Sequence, residues 1–137
     1  MDAALAVVDL AVRFPGAGCT GDVLAVDGIS LAVARGEIQA LIGESGSGKS
    51  VTLLALAGLL PPTARISGRI WLEGRPLHDL PARARAALRG RGIGMVFQDP
   101  AGSLNPVLTA GSQLDEVVTV HQGLRGRAAR RESEALL

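Results

Sequence analysis

The sequence predicts an α/β fold built around a glycine-rich loop. Segments with strand-like and helix-like patterns alternate along the 137 residues, an order typical of α/β domains. A short apolar run at residues 38–43 leads into the loop, and an apolar helix pattern at residues 49–60 follows it. A glycine-rich loop between a strand and a helix is the setting in which proteins bind phosphate groups.

The first part of the chain predicts an antiparallel β layer. Two segments are rich in valine and leucine, and in the second of them Ile29, Leu31 and Val33 alternate with smaller or polar residues. Such alternation indicates strands. We expect strands at residues 4–14 and 23–34, joined by a loop at 15–22 and followed by a turn at 34–37.

The rest of the chain is expected to alternate strands and helices. Two of its segments, residues 38–43 and 93–97, are short and mainly apolar, which is typical of strands buried on both faces. The helix after the loop should end before Pro61 and Pro62. The expected order is strand 38–43, helix 49–60, strand 68–74, helix 81–89, strand 93–97, a loop at 98–106, and helices 110–122 and 126–137.

The composition argues against a nucleic-acid partner, a disulfide within the chain and a membrane-spanning helix. The formal net charge of +1 and an aromatic content of 2% argue against a nucleic-acid partner, which needs basic or stacking surfaces. The single cysteine, Cys19, allows no disulfide within the chain, and we interpret it as incidental. The longest apolar stretch, residues 51–60, is about half of the roughly 20 residues that a membrane helix needs, so any membrane association is expected to be peripheral.

The glycine-rich loop fits the P-loop pattern G-x-x-x-x-G-K-[ST]. Its glycines let the backbone turn tightly and point N–H groups at an anion, and the following helix adds its unpaired N–H groups. Lys49 is expected to contact the β- and γ-phosphates, and the Ser50 hydroxyl to contact Mg²⁺. The predicted nucleotide-binding residues are Gly43, Glu44, Ser45, Gly46, Ser47, Gly48, Lys49 and Ser50.

Lys49 is the only lysine in the chain, whose other basic residues are all arginine. A slender ammonium suits a crowded phosphate site better than a planar guanidinium does. The competing interpretation is a Gly/Ser-rich turn in which a lysine occurs by chance. The position of the lone lysine favours the P-loop.

These segments resemble the nucleotide-binding domain of ABC transporters. Residues 25–50, AVDGISLAVARGEIQALIGESGSGKS, look like that family's entry into its first ATP-binding strand and loop, and VFQDP at 96–100 resembles its Q-loop. The longer run MVFQDPAGSLNPVLTAGSQLDE at 95–116 resembles one branch, the ATPases of oligopeptide, dipeptide and nickel importers. The resemblance implies an ABC-type P-loop NTPase fold that binds ATP and Mg²⁺.

The resemblance also implies roles for two residues outside the P-loop. Gln98 matches the glutamine of the Q-loop, which contacts Mg²⁺ or the attacking water and reports the nucleotide state to the membrane subunit. The alternative for Gln98 is an ordinary polar residue at the end of a strand. Phe14 matches the aromatic residue that stacks on adenine, and a core phenylalanine is an equally good interpretation of it.

Several parts of the family pattern do not occur in this sequence. A signature loop of LSGGQ type, an apolar strand ending in Asp before a catalytic Glu, and a switch histidine are all absent, and His78 and His121 lie at the wrong places and are interpreted as surface residues. We therefore expect a chain truncated before the signature and Walker B regions. The expected organisation is an antiparallel β layer at 1–37, a P-loop to Q-loop core at 38–100 and the start of a helical subdomain at 101–137.

The expected function is that of an ATP-binding subunit of a bacterial importer for peptides or nickel. Its partners would be transmembrane permease subunits and a second nucleotide-binding subunit, at the cytoplasmic face of the membrane. The chain by itself is expected to bind ATP without hydrolysing it. The alternatives are a non-hydrolysing nucleotide-binding or docking module and, disfavoured by charge and by the SLNP run, an ABC ATPase of DNA repair or chromosome maintenance.

Overall fold

The computed structural model describes residues 3–16, 21–99 and 102–137. The chain divides into two compact units, Met1–Gly92 and Ile93–Leu137. The first unit contains the P-loop and a four-stranded sheet, and the second contains a pair of helices. Cys19 lies outside the described residues, so its interpretation stays a prediction.

The first unit is built on an antiparallel sheet. Its elements are β1 (Ala3–Phe14), β2 (Val23–Ala34), α1 (Lys49–Ala57), β3 (Arg65–Leu72), β4 (Arg75–Pro76) and α2 (Ala82–Leu88). The strand order is β2-β1-β3-β4, and every neighbouring pair is antiparallel. The predicted N-terminal antiparallel layer is therefore confirmed.

The core of this unit is centred on β1. Val7, Leu10 and Val12 of β1 are fully buried, and Val26 of β2 and Ile70 of β3 are buried beside them. Helix α1 packs against both β1 and β2. This packing fixes the start of α1, and with it the end of the P-loop, against the sheet.

A β-bulge bends β1 at Asp9. The pairing register of β1 shifts there against both neighbours, and Asp9 has φ +51. The freed Asp9 N–H donates to Ser30 Oγ at 2.9 Å. On the other side, a Cβ at Gly68 would lie 2.4 Å from the Asp9 carbonyl oxygen. Only glycine therefore fits opposite the bulge.

Helix α1 ends earlier than the sequence predicts. Gly58 follows its last residue with φ +64, a left-handed conformation that glycine adopts without strain. The Gly58 N–H donates to Ala55 O at 3.1 Å, and the Leu59 N–H donates to Leu54 O at 2.9 Å. The cap ends the helix at Ala57, so the following prolines are not what stops it.

The second unit is a helical hairpin of α3 (Ala110–Gln122) and α4 (Arg127–Ala135). The helices pack on each other through buried Val118 and Ala129. Gly123 ends α3 with φ +74. Both helices were predicted to within about two residues at each end. Among the described residues, no helix is long and apolar enough to cross a bilayer.

Two predicted strands do not form. Residues 38–43 are irregular, and of residues 93–97 only Ile93 forms a single β-bridge. Ile42 is 91% exposed and Val96 is 94% exposed. A strand buried on both faces needs a strand at each edge and helices over both faces. The described residues supply no such partners to these two segments, so the apolar runs stay irregular and open to solvent.

The two histidines differ in their surroundings. His78 is exposed and packs edge-on against Trp71, with ring centroids 5.7 Å apart, so its interpretation as a surface residue is confirmed. His121 lies on α3 and is half-buried.

Candidate functional site

The candidate site is the loop between residue 43 and helix α1. The Ser47 N–H donates to Glu44 O at 3.2 Å and closes a turn. Gly46, the third residue of this turn, has φ +82°, a left-handed value of the kind that type II turns have at this position and that favours glycine. A Cβ at Gly43 would lie 2.7 Å from Ser47 Oγ. A side chain at this first glycine would therefore force the Ser47 hydroxyl to turn away.

Lys49 bends back onto this loop. Its Nζ donates to Gly43 O at 2.7 Å, to Glu44 O at 2.6 Å and to Ser47 Oγ at 3.2 Å. These bonds use all three donors of the ammonium group on the oxygens of the loop itself. Hydrogen bonds from an ammonium to an ionised oxygen are stronger than bonds to neutral oxygens. Phosphate oxygens can therefore displace these partners.

The N-terminus of α1 opens onto the same loop. Gly48 is the residue before the helix, with φ +86, and no side chain caps the helix. The first helical bond in this region runs from Thr52 N–H to Gly48 O at 2.8 Å. The N–H groups of Lys49, Ser50 and Val51 precede that bond in the chain. Free N–H groups at a helix start form a site for anions.

Gly48 also joins the loop to the sheet. A Cβ at this position would lie 2.5 Å from Ala25 O and 3.4 Å from Val26 Cγ2. Strand β2 thus runs directly behind the last glycine of the loop. The loop is pressed against a strand on one side and continues into a helix on the other.

A cavity of about 460 Å³ lies between the loop and β2. This volume is within the range of small-molecule sites. Its charged side chains are Lys49 and Asp27. Its lining residues are Leu24, Ala25, Val26, Asp27 and Ile29 on β2, Leu41 and Ile42 before the loop, and Gly43, Gly46, Ser47, Lys49 and Thr52.

Sequence reasoning found the loop side of this cavity and missed the β2 side. Leu24 and Val26 both line the cavity, although the register of β2 against β1 shifts between them, where Val26 pairs with Val12 and Leu24 with Arg13. Nothing local in the sequence indicates that this part of β2 lies beside the P-loop. The approach of Ala25 O to Gly48 depends on tertiary packing.

Five predicted residues of the first unit lie outside the cavity lining: the loop residues Glu44, Ser45 and Gly48, and also Ser50 and Phe14. Ser50 is exposed in the first turn of α1. Phe14 is half-buried at the end of β1, where it pairs with Val23 of β2. Neither residue belongs to the described lining. Contact of Ser50 with Mg²⁺ and of Phe14 with adenine stay predictions.

Gln98 lies in the second unit, where it is exposed in an irregular segment. Its predicted contact with Mg²⁺ or with the attacking water stays a prediction. The described residues contain no group of three or more His, Cys, Asp and Glu side chains placed to hold a metal ion.

The donors of the site fit the phosphate groups of a nucleotide. The ammonium of Lys49 and the uncapped start of α1 both favour negative charge. The apolar β2 side chains beside them offer a wall for a base or a ribose.

Comparisons with known proteins agree with this geometry. Residues 26–136 match the family model described as ABC transporter. The chain is 47% identical to the oligopeptide transport ATP-binding protein OppD of Mycobacterium tuberculosis, over 100% of the chain and 22% of that protein. It is 44% identical to OppD of Salmonella typhimurium, over 97% of the chain and 39% of that protein. It is 42% identical to the dipeptide transport ATP-binding protein DppD of Bacillus subtilis, over 100% of the chain and 41% of that protein.

A solved structure supports the fold. The ATP-binding cassette MJ0796, a dimer in a post-hydrolysis state bound to ADP and Pi, matches with a TM-score of 0.74 at 22% identity. The match covers 96% of this chain and 54% of that one. The predicted α/β fold of ABC ATPase type is confirmed. The chain spans between 22% and 41% of the length of these curated relatives, and it belongs to the ABC transporter family.

Proposed function

We propose that the chain is the ATP-holding part of the ATP-binding subunit of an ABC importer for peptides. The observation that carries this proposal is the position of Lys49, whose Nζ lies 2.7 Å from Gly43 O and 2.6 Å from Glu44 O beside an uncapped helix start. The similarity to OppD and DppD, named as peptide-transport proteins, supports peptides as the cargo.

Binding of ATP follows from exchange of hydrogen-bond partners. Lys49 gives up the carbonyl oxygens of Gly43 and Glu44 and donates to the β- and γ-phosphates instead. The N–H groups of the loop and of the first turn of α1 donate to the remaining phosphate oxygens. The cost of opening the bonds within the loop is small, because their acceptors are exposed to water and can be solvated.

Mg²⁺ accompanies ATP in this proposal. When bound, the ion neutralises charge on the phosphates. Ser50 of the first unit would hold it through a hydroxyl oxygen, which is a ligand type that Mg²⁺ accepts. The exposed position of this side chain leaves it open to a ligand.

The proposed assembly contains two nucleotide-binding subunits and the transmembrane subunits of the importer. MJ0796, the structural neighbour, is itself dimeric. The subunit is proposed to lie peripherally at the cytoplasmic face of the bacterial membrane, where ATP is available. Closure of two subunits around ATP would drive the transmembrane subunits between their conformations.

The test is peptide uptake by vesicles that contain the full-length subunit with its transmembrane subunits. We expect ATP-dependent uptake of a labelled oligopeptide with release of phosphate, and loss of both in Lys49→Ala. An Arg75→Ala variant removes a positive charge from β4 of the same unit and should leave both unchanged.

Two results would contradict the proposal. Uptake that persists in Lys49→Ala would exclude the P-loop as the source of energy. Nucleotide binding by the full-length protein without any release of phosphate would favour the non-hydrolysing module instead.

A further inference from the structure

The P-loop carries an acidic side chain beside the place where a polyanion is proposed to bind. Glu44 follows the first glycine of the loop. Its carbonyl oxygen accepts the Lys49 ammonium at 2.6 Å and the Ser47 N–H at 3.2 Å, so its backbone is part of the anion site. Its side chain is exposed and does not line the cavity.

This carboxylate has no partner among the described residues. The Glu44 side chain makes no hydrogen bond and no ion pair within residues 3–16, 21–99 and 102–137. Two other carboxylates of the first unit behave differently, since Glu73 lies 3.1 Å from Arg35 and Asp22 lies 2.9 Å from Arg65. The negative charge of Glu44 is therefore not balanced by a neighbouring cation.

The side chains around the site carry little positive charge. Lys49 and Glu44 are the only charged residues between positions 38 and 64, and the cavity lining adds Asp27. One cationic side chain thus stands against two carboxylates. The attraction for an anion comes mostly from the backbone N–H groups of the loop and of the start of α1.

We propose that Glu44 is a specificity-determining residue, whose charge makes the P-loop favour Mg²⁺-bound ATP over free ATP. The inference rests on the proposed function, because it takes ATP as the ligand. Free ATP carries about four negative charges at neutral pH, and Mg²⁺ neutralises about two of them. Glu44 therefore repels free ATP about twice as strongly as it repels Mg·ATP.

Two other roles for Glu44 predict different behaviour. Carboxylates are ligands for Mg²⁺, and if Glu44 held the ion, loss of its charge would weaken the binding of Mg·ATP. If Glu44 were only a solvated surface residue, loss of its charge would change neither affinity. Repulsion alone predicts tighter binding of both forms of ATP, with the larger gain for free ATP.

The experiment is calorimetry of the 137-residue chain with ATP in excess EDTA and with ATP in excess Mg²⁺. Glu44→Gln keeps the size of the side chain and removes its charge. In this variant we expect free ATP to bind about fourfold more tightly and Mg·ATP about twofold more tightly, so the ratio of the two Kd values falls. An unchanged ratio, or weaker binding of Mg·ATP, would overturn the proposal.

Two control variants separate position from net charge. Asp79→Asn changes the net charge by the same amount, at an exposed carboxylate of the first unit outside the cavity lining. It should leave both Kd values unchanged. Glu44→Asp keeps the charge and should keep the original ratio. A ratio that falls equally in Asp79→Asn and Glu44→Gln would reflect net charge alone and would overturn the role of Glu44.

Salt gives a second readout, which a folding defect would not reproduce. Repulsion between exposed charges is largely screened at about 0.5 M salt. The Kd ratios of the original chain and of Glu44→Gln should therefore converge at this salt concentration, and the two chains should share one Tm. A difference in ratio that persists at high salt would contradict a repulsive role.

Failure of this inference differs from failure of the proposed function. If the original chain binds neither form of ATP, binding of nucleotide by the P-loop is wrong and the role of Glu44 is wrong with it. If the original chain binds Mg·ATP and Glu44→Gln keeps the original ratio, only the role of Glu44 is overturned.

Discussion

Gly46 and Gly48 of the P-loop share a left-handed backbone but differ in their surroundings. Their φ values are +82 and +86. A Cβ at Gly46 would meet nothing within 4 Å, whereas a Cβ at Gly48 would lie 2.5 Å from Ala25 O. The first glycine is therefore required by conformation alone, and the second by conformation and by contact with β2.

This difference predicts unequal effects of alanine at the two positions. Gly46→Ala should lower the free energy of unfolding by about 1–2 kcal/mol, the cost of a left-handed residue with a side chain. Gly48→Ala should lower it by about 2–5 kcal/mol, because steric overlap with a strand backbone adds to that cost. Urea denaturation followed by circular dichroism measures both values. Equal losses would show that β2 does not press on the loop.

At the level of single residues, the motif predicts that Lys49 contacts phosphate, because the spacing of its glycines, lysine and serine is local. The structure holds Lys49 against the oxygens of the loop, and its contact with phosphate stays a prediction. The β2 wall, with Leu24 and Val26, could not be predicted. Its approach to Gly48 depends on how a distant strand packs.

Among the elements, the α3–α4 hairpin combines an exposed ion-pair network with an unpaired buried hydroxyl. Arg130 of α4 lies 3.0 Å from Glu134 and 3.6 Å from Asp115 of α3. The hydrogen bond to Glu134, with the charges of Asp115 and Glu134, raises the pKa of Arg130. Arg130 thus stays charged at any ordinary pH, although salt screens such exposed pairs.

Ser133 is 1% exposed, and its Oγ has no hydrogen-bond partner among the described residues.

Replacing Ser133 by alanine is predicted to stabilise the chain. A buried hydroxyl without a partner costs free energy that alanine avoids. The free energy of unfolding should rise by about 1 kcal/mol, measured by thermal denaturation. Ser112→Ala is the matched control, since Ser112 Oγ donates to Thr109 O at 2.8 Å and its loss should destabilise the chain. A Ser133→Ala chain less stable than the original would show that the hydroxyl has a partner.

The sequence predicted elements well where local pattern decides them. Strands β1 and β2 and helices α3 and α4 were placed within about two residues of their ends, because alternation and helix caps are read locally. The strands at 38–43 and 93–97 were wrong. Their apolar composition was read correctly, but a buried strand depends on neighbours that the described residues do not supply.

For the molecule as a whole, the two units carry different parts of the family pattern. The first unit holds the P-loop and its cavity, and the second holds Gln98. The exposed side chains of Ile42 and Val96 belong to the segments that failed to form strands. The family match covers residues 26–136, so both units belong to it. We propose that the first unit holds the phosphates of ATP through Lys49.

Isothermal titration calorimetry of the 137-residue chain with Mg·ATP measures this binding. The chain should bind ATP, and Lys49→Ala should weaken binding by about tenfold to a hundredfold, the loss of one or two charge-assisted hydrogen bonds. Lys49→Arg should also bind more weakly, because the planar guanidinium cannot reproduce the three compact contacts of the ammonium. Arg75→Ala should bind as the original chain does. Equal heats and affinities for the original chain and Lys49→Ala would show that Lys49 does not hold the phosphates.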